Sequence, residues 1–384
     1  MNAFGGYEIF RDELYYLACA DHLAFGYVDQ PPLSIWLLAG VRSVLGDSLF
    51  AIRLLPALAG AALVFVTGLI TRELGGGRFA VTVAALCPLV AGQVLAVSSF
   101  WSMNVFDLLL VAVAALLLAR LLNTGDGRYW IAVGAVLGLA LLNKVGVLWV
   151  GLGLAVGLAA TGERRWLRTP WPWAGGALAA LLFLPYVAWN AAHEWAHLEF
   201  IESAVAGKYS GLSAWSFLSG QVLVQNPVTV PVWLAGLGWL LAAPGGRRYR
   251  ILGVVWVTAF VVLFLNGSSK AGYLANVYAP VFAVGGVAWE RLLPRRGPQG
   301  AWPGARPWPS CSPGSSWHPS PRRSCRWRAM SATPAPWGWP PPPTRATSSP
   351  SCPSSSPTCS AGGRRRRPWP PSTTPCPPGT GSGR

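Results

Sequence analysis

The chain reads as an all-α, polytopic membrane protein, and three observations carry that reading. Of its 384 residues, 52% are hydrophobic and only 11% are charged, whereas soluble domains carry about 25% charged residues. Mean hydropathy is +0.40. Apolar runs near the length needed to cross a bilayer, about 20 residues for roughly 30 Å of hydrocarbon, recur along the first three quarters of the chain.

About nine spans are expected, over residues 49–71, 79–97, 104–122, 129–143, 145–161, 171–190, 228–244, 250–266 and 271–289. The apolar stretch 129–161 is interrupted by Asn143-Lys144, which favours two short spans joined by a polar turn. Residues 32–45 follow a double proline and are too short to cross, so they read as an interfacial helix. The acidic and aromatic segment 191–227 reads as a small cap over the outer face.

Arginine placement orients the spans. Basic turns at Arg72–Arg78, Arg120–Arg128, Arg164–Arg168, Arg247–Arg250 and Arg291–Arg296 alternate with arginine-poor ones. Assigning the basic turns to the cytoplasm puts residues 1–48, 98–103, Lys144, 191–227 and 266–270 outside. The first 30 residues are too polar for a cleavable signal peptide. An outer N-terminus therefore leads to the expectation of a missing upstream helix.

The expected organisation is a membrane domain over 1–293, with an outer loop and interfacial helix (1–48), a first set of spans (49–190), the cap (191–227) and the last spans (228–293). Residues 294–384 form a separate tail. From 297 onward it holds 22 of the 34 prolines and eleven arginines, with no Asp, Glu or Lys. Those arginines account for eleven of the sixteen net charges and leave +5 for the rest. A nucleic-acid partner would rest on the tail alone, and none is expected. The tail reads either as a disordered basic arm or as a frameshift near residues 294–300. Residues 356–362 can be back-translated so that another frame spells Ala-Asp-Met-Phe-Gly-Trp, which favours the frameshift. Only Cys19 and Cys87 precede the tail, so no disulfide framework or zinc ribbon is expected.

Chemistry is expected in the first outer loop, where Asp12, Glu13, His22 and Asp29 crowd a membrane surface. A carboxylate beside hydrocarbon must stay in water, pair with a cation or serve as a site. Asp12 could be a general base or hold a cation; its bland reading is a solvated or capping acid. Asp29 precedes Gln30-Pro31-Pro32, whose prolines fix an extended backbone and aim the acid; simple turn chemistry is the alternative. Asp107 lies inside an apolar run, which marks an intramembrane acid. Lys144, Lys270 and Arg53 are placed to meet a lipid-linked phosphate, against the bland role of interfacial anchors. His193, Glu194 and His197 reproduce the H-E-x-x-H spacing, which on one helix puts both imidazoles on one face. No clear third ligand follows, so structure, or a weaker metal or acceptor contact with Asp29, His193 and Glu199, weighs more than a metalloprotease. A divalent metal ion is the one cofactor these residues could take.

Several segments together resemble a family. They are Arg11-Asp12-Glu13-Leu14-Tyr15-Tyr16, Gly26-Tyr27-Val28-Asp29-Gln30-Pro31-Pro32-Leu33, Ser102-Met103-Asn104-Val105-Phe106-Asp107, Leu142-Asn143-Lys144, His193-Glu194-Trp195 with Leu198-Glu199-Phe200, and Lys270-Ala271-Gly272-Tyr273. Over about residues 5–293 the chain resembles the bacterial family 39, protein-mannosyltransferase-like glycosyltransferases, a group that includes aminoarabinose transferases acting on lipid A.

The resemblance implies a GT-C membrane fold and a cytoplasmic-membrane location with the site on the outer face. It implies sugar transfer from a polyprenyl-monophosphate donor to a lipid, glycan or protein acceptor, with inversion. Asp12 maps onto the family's loop acid and is the implied base, beside Glu13; Asp107 maps onto the second loop acid. Asp29 falls where some relatives carry Glu near a metal. Lys144 and Lys270 fall where the resemblance implies phosphate contacts. Such a donor needs no nucleotide, and neither a P-loop nor a dinucleotide fingerprint is present. The absent first span and the altered tail depart from the family pattern. A transporter or lipid-linked-sugar flippase is the competing reading; it predicts midplane charges and inverted repeats, whereas the acids here sit at the outer edge and no such repeat is visible.

Overall fold

The computed structural model describes residues 8–207 and 212–293. The tail at 294–384, and with it the frameshift expectation, lies outside the described residues. Among the described residues all regular structure is helical. Short α1 (Arg11–Ala20) and α2 (Leu33–Leu45) precede the long helix α3 (Leu49–Glu73). Then come α4 (Arg78–Val90), α5 (Gly92–Val97), α6 (Met103–Thr124), α7 (Arg128–Leu141), α8 (Val147–Ala160) and α9 (Trp171–Ala192). The segment expected as a cap holds α10 (Ala196–Ala206) and α11 (Ala214–Val224). Helices α12 (Val230–Leu241), α13 (Arg250–Leu265) and α14 (Tyr278–Leu292) complete the fold.

Among the described residues, five helical segments are long and apolar enough to cross a membrane, or six if one bent pair counts as a span. Of the other expected spans, 79–97, 129–143 and 228–244 fall on shorter apolar helices and 145–161 on the bent pair, and two of these breaks have a local cause. The run 79–97 breaks at Ala91, whose ψ of 119° is extended, three residues after Pro88. Proline removes an N–H and crowds the preceding turn, so a helix bends or ends there. The stretch 129–161 divides at Asn143-Lys144 as expected, into two helices of 14 residues, each about 21 Å long at 1.5 Å per residue. The last expected span is one of the five, although it begins as a 3-10 turn over Ala271–Val277 and becomes α-helical only from Tyr278.

Helices α6 and α14 form the core, while α9 is mostly exposed on the periphery. Glycine permits the closest approaches. A Cβ on Gly134 of α7 would lie 2.1 Å from the Gly175 carbonyl oxygen of α9, and one on Gly236 of α12 would lie 2.3 Å from the Val281 carbonyl oxygen of α14. Small residues let backbones touch where lipid supplies no hydrophobic drive between helices.

The two ends of the bundle differ in chemistry. At one end the arginine-bearing turns lock together: Arg248 Nε donates to Leu122 O at 3.0 Å, Asn123 Nδ2 to Glu73 Oε1 at 3.0 Å, and Gly77 N–H to Glu290 Oε2 at 2.7 Å. At the other end lie α1, the loop to α2, the start of α6, the α7–α8 turn and the 3-10 turn.

Candidate functional site

Helix α1 carries Asp12 and Glu13 on neighbouring positions about 100° apart around its axis, and they meet opposite fates. Glu13 faces inward and is 1% exposed. Its Oε1 accepts from Arg53 Nε at 3.1 Å and from the Trp101 N–H at 2.8 Å. Its Oε2 accepts from Arg53 Nη2 at 2.6 Å and from the Phe10 N–H at 2.9 Å, the latter closing the N-terminus of α1. One carboxylate thus ties α1 to α3 and to the chain entering α6. Burial pushes the Glu13 carboxyl up, but the Arg53 guanidinium and the two backbone donors outweigh it and hold it below its ordinary range. Asp12 is half exposed, its one ion pair being with neighbouring Arg11 at 3.3 Å. Met103 N–H donates to Tyr16 Oη at 3.1 Å, which seats α1 over the start of α6.

A second polar group lies on α6. Asp107 is 2% exposed. Its Oδ2 is 3.3 Å from Lys144 Nζ, and Asn276 Nδ2 donates to both carboxylate oxygens at 3.2 and 3.3 Å. Lys144 also donates to Asn104 Oδ1 at 2.9 Å and sits 5.3 Å from the Tyr273 ring centroid. Asn104 and Asp107 share a face of α6 at i, i+3 spacing. Lys144 reaches them because Asn143 Nδ2 donates to Met103 O at 2.8 Å, pinning the α7–α8 turn.

The loop from 21 to 32 is built around Tyr27. Its hydroxyl donates toward Cys19 O (3.2 Å) and His22 O (3.1 Å) and accepts from Ala24 N–H at 3.1 Å. Leu33 N–H donates to Leu142 O at 2.9 Å, which fastens the double-proline stop to the same α7–α8 turn. Asp29 is thereby held near the mouth, where Tyr15 Oη donates to its Oδ1 at 2.7 Å. Burial raises the Asp29 carboxyl above its ordinary range against that hydrogen bond. His197 of α10 arrives from the other side, its Nδ1 3.1 Å from Val28 O. A carbonyl can only accept, so Nδ1 carries the hydrogen and Nε2 keeps its lone pair. Burial lowers the His197 pKa from its ordinary value, opposed by the Val28 carbonyl and the Asp29 charge.

The structure corrects the helical reading of His193-Glu194-Trp195-Ala196-His197. Glu194 and Trp195 have φ of 53° and 59°, so α9 ends and α10 starts anew between the two histidines. His193 stacks on Trp189 at 4.1 Å and bonds the Trp189 carbonyl, while Glu199 is exposed on α10. The imidazole that reaches the loop is His197. Among the described residues no three His, Cys, Asp or Glu side chains come together as a metal site; Asp29 and His197 offer an acid–imidazole pair. Lys270 is half-buried at the head of the 3-10 turn. Arg53, expected at a phosphate, is committed to Glu13, and it also lines an apolar groove of about 410 Å³ between α3, α4 and α5. Leu54, Ala57, Val64 and Leu95 line the rest of that groove, with Ser98 and Ser99 adding polar atoms.

Tyr15, Asn104, Tyr273 and Asn276 belong to the site but were not among the expected residues. Motif spacing had flagged Asn104 and Tyr273 as neighbours of the nominated charges. Asn276, 169 residues from Asp107, carried no signal in the sequence.

Residues 29–189 match the family of dolichyl-phosphate-mannose-protein mannosyltransferases. The lipid A galacturonosyltransferase RgtD of Rhizobium johnstonii is 24% identical over 302 residues, covering 77% of this chain and 63% of that protein. The crystal structure of ArnT from Cupriavidus metallidurans bound to undecaprenyl phosphate superposes with a TM-score of 0.55 at 22% identity, over 70% of this chain and 51% of that one. The same protein in the apo state gives 0.53 at 22% identity, over 73% and 54%. The chain therefore spans about half to two thirds of the length of these relatives, and shares the fold of the ArnT structures over the superposed part.

Proposed function

We propose that this chain, a polytopic protein of the GT-C, protein-mannosyltransferase-like glycosyltransferase family, transfers a sugar from a polyprenyl-monophosphate donor to an acceptor at the outer face of the cytoplasmic membrane. The observation that carries the reading is the convergence of Asp12, Asp29, the Asp107–Lys144 pair and the Arg53-lined apolar groove at one end of the helical bundle. An isoprenoid phosphate has the matching polarity: a long apolar chain that a lipid-facing groove can hold and an anionic head that needs cations. The dolichyl-phosphate-mannose of the matching family and the undecaprenyl phosphate bound to ArnT support the donor class.

In this reading Asp12 takes the proton from the acceptor nucleophile. It is half exposed at the mouth, where an acceptor has access, whereas Glu13 has both oxygens occupied and positions α1. The oxygen of the acceptor attacks the anomeric carbon, the bond to the phosphate oxygen breaks, and polyprenyl phosphate leaves with the electron pair. Lys144, set between Asp107 and Asn104 and still partly open, stabilises the charge that grows on the phosphate. Lys270 is the further cation for that oxygen set. Asp29 and His197 contact the acceptor.

The test uses membranes containing the full chain, supplied with polyprenyl-phosphate sugars, with free polyprenyl phosphate as the readout. Acceptor-dependent release that falls about 10²–10⁴-fold in Asp12→Asn, at unchanged folding, supports the assignment. Folded protein that releases nothing from any donor moves the reading to a transporter or flippase.

A further inference from the structure

Next to Asn276, the partner of Asp107, lies a cavity of about 10 Å³. Most of its wall is apolar, from Leu63, Leu108 and Phe282, but Gln225 and Asn276 also line it. Gln225 is 1% exposed, and its Nε2 has no hydrogen-bond partner among the described residues. A buried amide left unpaired costs about 1–3 kcal/mol, so native structures rarely leave one. Asn276 has its Nδ2 committed to Asp107, which leaves its amide oxygen as the remaining polar atom of that side chain. The void is of the order of a single water, the size at which a polar cavity becomes hydrated.

We infer that this cavity holds one internal water that links Gln225 to Asn276, making Gln225 a positioning residue for Asp107. The water accepts from Gln225 Nε2 and donates to the Asn276 amide oxygen. That bond fixes which way the Asn276 amide points: its nitrogen toward Asp107, its oxygen into the cavity. With its nitrogen so held, Asn276 keeps both Asp107 oxygens in one orientation toward Lys144. Gln225 is itself a rigid anchor. Its carbonyl accepts from Thr229 Oγ1 at 2.8 Å, at the junction where α11 ends and the next helical turn begins. The chain thus runs from α11 through the water to the 3-10 turn, then to α6 and the α7–α8 turn. The water itself stands on the cavity and the unpaired amide; its consequence for turnover rests on the transferase reading.

Two measurements test this on the full-length protein in lipid nanodiscs. In a density map that resolves other buried waters, a peak between Gln225 and Asn276 is expected, and a clean, empty cavity would overturn the proposal whether or not the protein is a transferase. In polyprenyl phosphate release, Gln225→Leu keeps the volume and removes the amide. Its kcat should fall by up to about tenfold, the rate equivalent of one neutral hydrogen bond, with KM for the donor within about threefold. Gln225→Asn, which retains an amide and leaves room for a second water, should recover most of the rate. In an Asn276→Leu background, Gln225→Leu should cost nothing further. Additive losses, or Asn and Leu replacements that behave alike, would show that Gln225 acts through packing instead. If no variant, nor the wild type, releases product, the transferase reading fails, while the density still decides the water.

Discussion

The two buried acid–base pairs, Glu13–Arg53 and Asp107–Lys144, sit at the same end of the protein and are finished to different degrees. Glu13 spends both oxygens on four donors, and Arg53 binds it through two nitrogens. Asp107 is as deeply buried, but its lysine is 12% exposed and divides itself among a carboxylate, an amide oxygen and an aromatic face. A compact ammonium on a flexible stem can turn toward an arriving anion; a guanidinium locked in a fork cannot do so without leaving its partner unpaired. The first pair is therefore read as architecture and the second as a cation held ready.

The largest effect should come from breaking the finished pair. Glu13→Gln leaves Arg53 buried without its counter-charge and weakens the junction of α1, α3 and α6, a loss of about 3–5 kcal/mol. Thermal unfolding in detergent should show a fall far greater than for Asp12→Asn, which changes an exposed acid one residue away. Equal falls in the two variants would erase the contrast between the neighbours.

A smaller stability loss is expected for Asp107→Asn, about 1.5–3 kcal/mol for a hydrogen bond to a charged group, because Lys144 keeps Asn104 and the Tyr273 ring. Transfer should suffer more than folding. Lys144→Met sharpens the point further. It should destabilise less than Glu13→Gln, because Asp107 keeps both hydrogen bonds from Asn276, while weakening donor binding about tenfold to a hundredfold, measured as KM for polyprenyl-phosphate sugar or as direct binding of the product phosphate. A stability loss on the scale of Glu13→Gln, with donor KM unaltered, would make both pairs structural.

Much of the helical fold was legible in the sequence, because apolar length and turn chemistry are local. Asn143-Lys144 announced the break between α7 and α8 as two polar residues in a run of hydrocarbon. The bend after Pro88 was announced by its proline, though an unbroken 79–97 span was expected. The break between His193 and His197 carried no such mark. Two non-glycine residues at positive φ are rare, and H-E-x-x-H suits a continuous helix as well as a broken one. Pairing was less legible still. Apart from the Phe10 N–H that Glu13 caps, what separates Asp12 from Glu13 is an arginine 40 residues on and a backbone N–H 88 residues on. Long-range partners decide which acid is spent and which is left for chemistry, and periodicity does not reveal them.

The smallest expected effect concerns pH, and it separates the pairs without touching catalysis. The hydrogen bonds from Arg53, Trp101 and Phe10 outweigh burial and depress the folded-state pKa of Glu13. A depressed carboxyl stabilises the fold at pH above its unfolded pKa, about 4.3 for Glu. That contribution is lost as the pH falls through the lowered folded value. Wild-type Tm should therefore decline on acidification below about pH 4, whereas Glu13→Gln, with no proton to take up at that position, should start lower and decline less steeply. The Tm difference between the two proteins should narrow as the pH falls. A difference that stays constant across that range would mean that Glu13 stabilises the junction by its shape and neutral hydrogen bonds, and that the charge on Arg53 is balanced elsewhere.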